Sequence, residues 1–412
     1  MHYLKTFLLL FLITSNTYAS WIPDRRRDQF ASEAAYLIVP LPYSYPGIGE
    51  GFFLIGNASN VFNSTTDVVF VEVTGDATGQ VAQFEELPLI EDTLLLSLHI
   101  RDINGAIVNN YRIRGMNGSN ENDYNLFKVS QADDSVLRLD YASTDRRYNV
   151  YISESQSEFS LDAILDIDGN EIRPFSPAYV QASTTHKIGV IADYTDDYMD
   201  PQMGARFSLE YVDSPASDSN DPDFYVLNYS FSYYFPTRDN DTLVVNYFQS
   251  DAHVRTQGNT DENYIRGTLG LNCGADPACL QIEQNLVNSV VDAATYGTAA
   301  SLGGLERLRS YPQGRYSGGH AGFLGTEYRW NLREETTPFN YLFWKDVRTG
   351  KQIAFFAEAG SVSEISSDLW QEQRYTYGIG FRLMTASGSV YRADFASGDE
   401  GTEVAIFFFY PW

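Results

Sequence analysis

Three short stretches hold the side chains from which this chain could build a charged site. RLRSYPQGRY, residues 307–316, sets three arginines around a Pro-Gly turn. GTEYR, residues 325–329, follows with an acid two residues before a further arginine, and IAFFAEAGSV, residues 353–362, carries Glu358 as a lone acid in an apolar run. A guanidinium is planar, permanently charged and holds five donors, so it suits a clasp between carboxylates that would otherwise repel one another. Catalysis is a poorer use of these groups. There is no G-x-S-x-G elbow, no H-E-x-x-H pair and no phosphate loop. The five histidines, at 2, 99, 186, 253 and 320, are scattered. The expectation is a protein that is not an enzyme and needs neither cofactor nor metal.

The two cysteines, Cys273 and Cys279 in NCGADPAC, stand six apart around a Gly-Pro turn. In an exported chain that spacing reads as a small disulfide-closed loop, and no neighbouring histidine suggests a metal pair. The formal charge of −26 argues against nucleic acid as a partner drawn in by electrostatics.

These residues need elements to hold them. The opening MHYLKTFLLLFLITSNTYAS has the charged start, apolar run and small-residue end of a secretory signal, with cleavage expected after Ala19. No later segment is apolar for the roughly 20 residues a spanning helix needs. Membrane residence therefore has to come from a closed β-barrel, with a soluble secreted β-protein as the alternative. DFYVLNYSFSYYF puts Tyr225, Leu227, Tyr229, Phe231, Tyr233 and Phe235 on one face and Asn228, Ser230 and Ser232 on the other. ARFSLEYV and YTYGIGFRL alternate in the same way, with Arg206 and Arg382 on the polar side. Apolar outside and polar inside is the pattern of a lipid-facing wall.

The alternation predicts strands at 49–62, 66–75, 91–103, 122–131, 135–143, 146–154, 158–167, 183–195, 202–213, 223–236 and 241–255. After a long break come 319–332, 351–361, 373–385, 388–397 and 403–412, making sixteen. Asp162, Asp166 and Glu210 read as lining of a wet interior. The chain ends EVAIFFFYPW, where Phe408, Tyr410 and Trp412 fall on one face as a carboxyl-terminal strand signal. A helix is expected at 280–295, with Leu280, Ile282, Leu286, Val290 and Val291 on its apolar side.

Several motifs stand in the order of one family. LGGLERLRSYPQGRYSGGHAGFLGTEYRWNL, residues 302–332, resembles the signature of the BamA/TamA-type bacterial surface-antigen superfamily, which includes the two-partner secretion transporters. Leu308-Arg309-Ser310-Tyr311 occupies its V/L-R-G-Y/F motif, with Ser310 where glycine is usual. IAFFAEAGSV is similar to the F-x-D-x-G strand, with Glu358 for aspartate. DYTDDYMDPQMGARFSLEY, VPLPYSYPGIGEG and YRADFASG resemble further segments of the same family. The resemblance implies an all-β fold, a sixteen-stranded antiparallel transmembrane barrel whose sixth extracellular loop folds inward. It also implies that Arg309, with Tyr311, clasps Glu327 and Glu358 on the twelfth and thirteenth strands.

The residues are consistent with this. Tyr328 and Trp330 belong in lipid, which turns Glu327 inward, and Glu358 is too costly to aim at hydrocarbon. The other reading leaves Arg309 in solvent and pairs Glu327 with Arg329 or Arg382. Most relatives carry periplasmic POTRA domains. Here the expected plan is a signal peptide at 1–19, a short periplasmic segment at 20–46 with Arg25, Arg26 and Arg27, and a barrel from 47 to 412 with its sixth loop at about 256–318. That places the protein in the bacterial outer membrane, in contact with its lipids. Two functions remain open: protein or lipid insertion or translocation, with a periplasmic or secreted protein partner, or a structural or passive pore, with a homodimer as its candidate assembly. Four glycines in GIGEGFFLIGN, taken as the first strand, suggest a weak seam.

Overall fold

The computed structural model describes residues 35–116, 122–198, 201–238, 241–271, 273–334, 339–342, 344–347, 349–385, 390–408 and 410–412. The expected signal segment 1–19 and residues 20–34 lie outside the described residues.

The strands form one antiparallel sheet. In chain order they are β1 (Ala35–Tyr45), β2 (Gly49–Ser59), β3 (Asp67–Gly75), β4 (Thr78–Ile90), β5 (Leu94–Tyr111) and β6 (Tyr124–Ala142). Next come β7 (Tyr148–Leu165), β8 (Glu171–Thr195), β9 (Gly204–Ser214), β10 (Asp223–Arg238), β11 (Asp241–Thr256) and β12 (His320–Glu334). The last are β13 (Phe339–Tyr341), β14 (Trp344–Val347), β15 (Thr349–Ser363), β16 (Arg374–Thr385), β17 (Val390–Gly398) and β18 (Gly401–Phe408). Consecutive strands pair, except that β12 pairs with β15 past the small β13–β14 hairpin. The sheet closes where β1 meets β18. Of the 18 strands, β13 and β14 are only 3 and 4 residues long, so sixteen make the wall. Closure satisfies the backbone without help from water, as a spanning sheet requires.

Side-chain alternation sorts lipid from lumen. On β16, Tyr377 is 63% exposed while its neighbour Thr376 is 1% exposed and Arg382 is fully buried. The connections 112–123, 215–222, 257–319 and 364–373 open at one end of the barrel, the loop end. The other is the turn end, where β1 starts.

The count of sixteen agrees with the sequence reading, but four of its parts differ. Strands β1 and β4 were not expected, and β6 and β7 were each expected as two. Strand β1 lies inside the segment 20–46 that the sequence assigns to the periplasm, so the barrel wall begins at Ala35 rather than at 47. Its prolines Pro40 and Pro42 argue against a strand locally, yet proline is tolerated on an edge. The alternation of β4 is broken by a register shift between Phe84 and Leu87. Strands β6 and β7 run 19 and 18 residues, well past the 9–11 a tilted crossing needs. On β7 the exposed face changes from Tyr148, Val150 and Ile152 to Glu154, Gln156 and Glu158. The sheet therefore rises beyond hydrocarbon with a polar outer face, and the lipid-facing pattern stops midway along each strand.

Within loop 257–319 lie α1 (Glu262–Leu269) and α2 (Pro277–Tyr296), and the Cys273–Cys279 disulfide ties the connection between them to the first turn of α2. Asp261 and Asp276 cap their first turns. The pair leans on the tall sheet through Leu271, Leu286 and Ile282 against Leu161, Ile164 and Phe175. Leu280 and Val290, expected on the apolar side, are exposed instead. Asp166 lies in the β7–β8 turn, where it accepts from the N–H groups of Asp168 and Asn170 at 2.9 and 2.8 Å. Asp162 falls at a register break of β7. Glu210 does line the interior, accepting from Tyr151 and Asn228 at 2.7 and 3.0 Å.

Candidate functional site

After α2 the sixth loop runs into the lumen. Leu302 and Tyr316 exchange backbone hydrogen bonds of 2.8 and 3.0 Å, which narrows the segment between them into a closed finger. Leu302, Leu308, Tyr311 and Tyr316 are fully buried and pack on Phe248, Phe323 and Val362 of the inner wall. An apolar finger gives the loop a reason to stay inside, and its arginines fix the position.

Arg309 is completely buried. Its Nε donates to Glu358 Oε1 at 2.7 Å, and its own backbone N–H donates to Glu358 Oε2 at 2.9 Å. Nη1 reaches Asp394 at 2.9 Å and Nη2 reaches Glu327 at 3.3 Å, with the guanidinium 3.5 Å above the Phe356 ring. The loop is thereby tied to β12, β15 and β17 at once. Glu327 also takes both Nη groups of Arg382 and the Nε of Arg329, at 2.8 Å for the latter. Glu327 thus meets Arg309 as well as Arg329 and Arg382, while Arg309 is buried rather than in solvent, where the second sequence reading places it.

Four guanidiniums, those of Arg309, Arg329, Arg382 and Arg392, face the carboxylates Glu327, Glu358 and Asp394, all buried. Taking such charges out of water is costly, and dense pairing offsets that cost. The surplus positive charge lies beside Tyr410, whose ring is 4.0 Å from Arg329 and 5.3 Å from Arg382, a cation–π arrangement. Arg392 and Asp394 were not singled out in the sequence. The signal was there: in YRADFASG they alternate with Tyr391 and Phe395, which puts both on the inner face.

Arg315 forms a second anchor. Its Nε and Nη2 hold Glu400 in the β17–β18 turn at 2.7 and 2.6 Å, and Tyr316 adds a third bond at 3.1 Å. Arg307 instead stacks 3.7 Å above Phe248 and pairs with Glu306. Tyr311 donates to the Tyr375 carbonyl at 3.3 Å and accepts from the Asp399 N–H at 3.2 Å. Ser310 bonds the Thr376 hydroxyl at 2.6 Å and lies where a side chain on Gly398 would stand. The glycine that makes room is therefore on the wall rather than in the loop.

The finger also reaches β1: the Gln313 N–H donates to the Pro46 carbonyl at 2.9 Å, and Tyr45 donates to the Gln313 side chain at 3.0 Å. Over the rim, Arg114 holds both oxygens of Glu364 at 2.7 and 2.9 Å and the Gly297 carbonyl at 2.6 Å. Three of the loops at that end are thereby connected.

The carboxyl-terminal aromatics do not continue the last strand. β18 ends at Phe408, and Pro411 has no N–H to extend a ladder. Phe408 stays at the seam against Phe53, 5.5 Å between centroids, while Trp412 turns inward to lie 6.2 Å from Phe323. Gly325 leaves the space, since a Cβ there would come within 2.7 Å of the indole. At the seam itself the described residues of β1 and β18 share one pair, Ser44 with Ile406, supported by Ser44 Oγ on the Val404 carbonyl at 3.0 Å. Among the described residues no group of His, Cys, Asp and Glu is arranged to hold a metal.

No family model and no curated protein matches the chain. Solved structures similar to it include BamA from Haemophilus ducreyi lacking POTRA domains 1–3, at 13% identity and a TM-score of 0.48, covering 92% of this chain and 69% of that one. CdiB from Escherichia coli is 11% identical with a TM-score of 0.48, covering 91% of this chain and 62% of its own. CdiB from Acinetobacter baumannii is 10% identical with a TM-score of 0.47, covering 91% and 59%. The chain spans about three fifths of each CdiB.

Proposed function

We propose that the chain is a gated outer-membrane barrel of the BamA/TamA-like superfamily. It acts without catalysis in membrane biogenesis, inserting or translocating protein or lipid, with a periplasmic or secreted protein as partner. In this reading the sixth loop is the stopper and the β1–β18 seam is the moving part. The observation that carries it is the seam, where the described residues of β1 and β18 share one pair while β1 and β2 share eleven. The weakness lies not in the glycines of GIGEGFFLIGN, most of which stand on β2, but in the shortness of the overlap.

A disulfide across Ser44→Cys and Ile406→Cys tests this. Loss of the cellular phenotype on oxidation, restored by reductant, is expected; a locked protein that works normally would refute a moving seam.

A passive pore is the second reading. It is favoured by the small polar inner faces of β7 and β10, where Ser153, Ser155, Ser157, Asn228 and Ser230 are half-buried. Single-channel recording separates the two: a large, stable conductance with the clasp intact would support the pore.

A further inference from the structure

We infer that the seam of this barrel lodges the acyl chain of a membrane phospholipid and is built against taking an added β-strand. The inference rests on the gated-barrel reading and names the substrate class that meets the seam.

The flank of β1 facing β18 has few backbone pairings among the described residues. Among the described residues, apart from Ser44 opposite Ile406, it pairs only at Tyr36 and Leu37, with Lys345 and Trp344 of β14. The Trp344 indole N–H donates to the Ile38 carbonyl at 2.9 Å. Among the described residues none pairs with 39–43 on that flank, and β18 runs past Ile406 to end at Phe408.

In an antiparallel strand a residue's N–H and C=O leave on the same side, and successive residues alternate sides. The Ile38 carbonyl and the Ser44 pairing fix the even positions as those that face the seam. Two of them are Pro40 and Pro42, and their pairing with Leu54 and Phe52 leaves the β1–β2 ladder unbroken. Between Ile38 and Ser44 the edge therefore offers two carbonyls and no N–H donor. An incoming strand needs donors and acceptors in alternation, and proline on an edge blocks such pairing.

The surroundings of this blunted edge are apolar on both sides. Outside, Tyr36, Ile38, Phe52 and Leu54 are 42%, 46%, 62% and 49% exposed. Inside, where a barrel is ordinarily polar, Val39, Leu41, Phe53, Ile55, Val71 and Phe407 form one cluster. Apolar faces outside and inside thus meet along a stretch bounded by the Ser44–Ile406 pair and by β14, a gap in the pairing that Phe408 lines against Phe53. The occupant that matches is an acyl chain. Exposed Lys345 stands beside the turn end of the gap, placed for the phosphate of a lipid whose headgroup remains at the interface.

The test uses the full-length protein in phosphatidylethanolamine–phosphatidylglycerol vesicles containing a phosphatidylethanolamine with a diazirine in its acyl chain. After photolysis, peptide mapping is expected to find label on Val39, Leu41 or Ile55 as well as on the outer residues. Label confined to Tyr36, Ile38, Phe52 and Leu54 would overturn the inference. So would a photoreactive barrel-strand peptide that labels residues 39–43 and displaces the lipid.

Leu41→Asn should lose inner labelling while heat-modifiable migration shows a folded barrel. Should that variant fail to fold, Pro40→Ala with Pro42→Ala restores two donors, lets the edge pair and should reduce inner labelling; undiminished labelling there would remove the prolines' role. A locked seam that abolishes function without any inner labelling leaves the gated barrel standing and sinks the lipid. Inner labelling with a harmless lock does the reverse.

Discussion

Glu358 holds Arg309 twice, one carboxylate oxygen on the side chain and the other on the backbone N–H of the same residue. The bond to the backbone fixes the path of the loop, and the bond to the guanidinium fixes its direction into the wall. Glu327 has three guanidiniums and can lose one, whereas among the hydrogen bonds of Glu358 both come from Arg309.

Arg309→Ala should therefore be costly because it strands Glu358, at about 3–5 kcal/mol for a buried charge left without its partner. Heat-modifiable electrophoresis should show less folded barrel. Adding Glu358→Gln should restore part of it, and adding Glu327→Gln should not. Equal rescue by the two would mean that the Glu358 pairing is not the main tie.

Arg309→Lys should resemble Arg309→Ala more than the wild type, because one ammonium cannot span Glu358, Asp394 and Glu327 in the plane that the guanidinium occupies. Full heat stability of the lysine variant would contradict a geometric role.

Arg315→Ala should act on the loop and spare the wall. Its loss removes two bonds to Glu400, each charge-assisted and on the order of 1.5–3 kcal/mol. Single-channel current is expected to rise and trypsin to reach the loop, with barrel melting nearly unchanged.

Cys273→Ser with Cys279→Ser should loosen the α1–α2 cap by about 2 kcal/mol, since the closed loop is short. Limited proteolysis between the helices should increase while β1–β18 remain protected.

Asp292 on α2 has its carboxyl pKa raised by burial and by Glu364 nearby, with Arg114 opposing. A raised carboxyl pKa means stabilisation that is complete below its ordinary value and is lost as pH rises through the raised one. The cap should thus resist protease better in acid than at neutral pH, and Asp292→Asn should flatten that dependence. An unchanged pH profile in the variant would exclude Asp292 as its source.

The clasp was legible because a charge inside an alternating apolar strand has only the lumen to enter, which located Glu327 and Glu358. The same rule applied to YRADFASG would have located Arg392 and Asp394. Other features were hidden for physical reasons. Pro40 and Pro42 disguise β1 because a strand is ordinarily judged as though both flanks were paired. Strands β6 and β7 look divided because the cue of an apolar face ends with the bilayer while the hydrogen bonding continues. The inward turn of Trp412 depends on the space at Gly325, on a strand distant in sequence, and no local pattern announces it.

That tryptophan joins two parts of the barrel otherwise held separately. Trp412 and the buried finger of the sixth loop share the same cluster around Phe323. Drawing the loop outward removes the packing that keeps the chain's end in place beyond β18, and freeing that end loosens the loop in turn. Equilibrium coupling of this kind is reciprocal: in the proposed gated barrel, withdrawal of the loop and release of the chain's end would each favour the other by one shared coupling free energy.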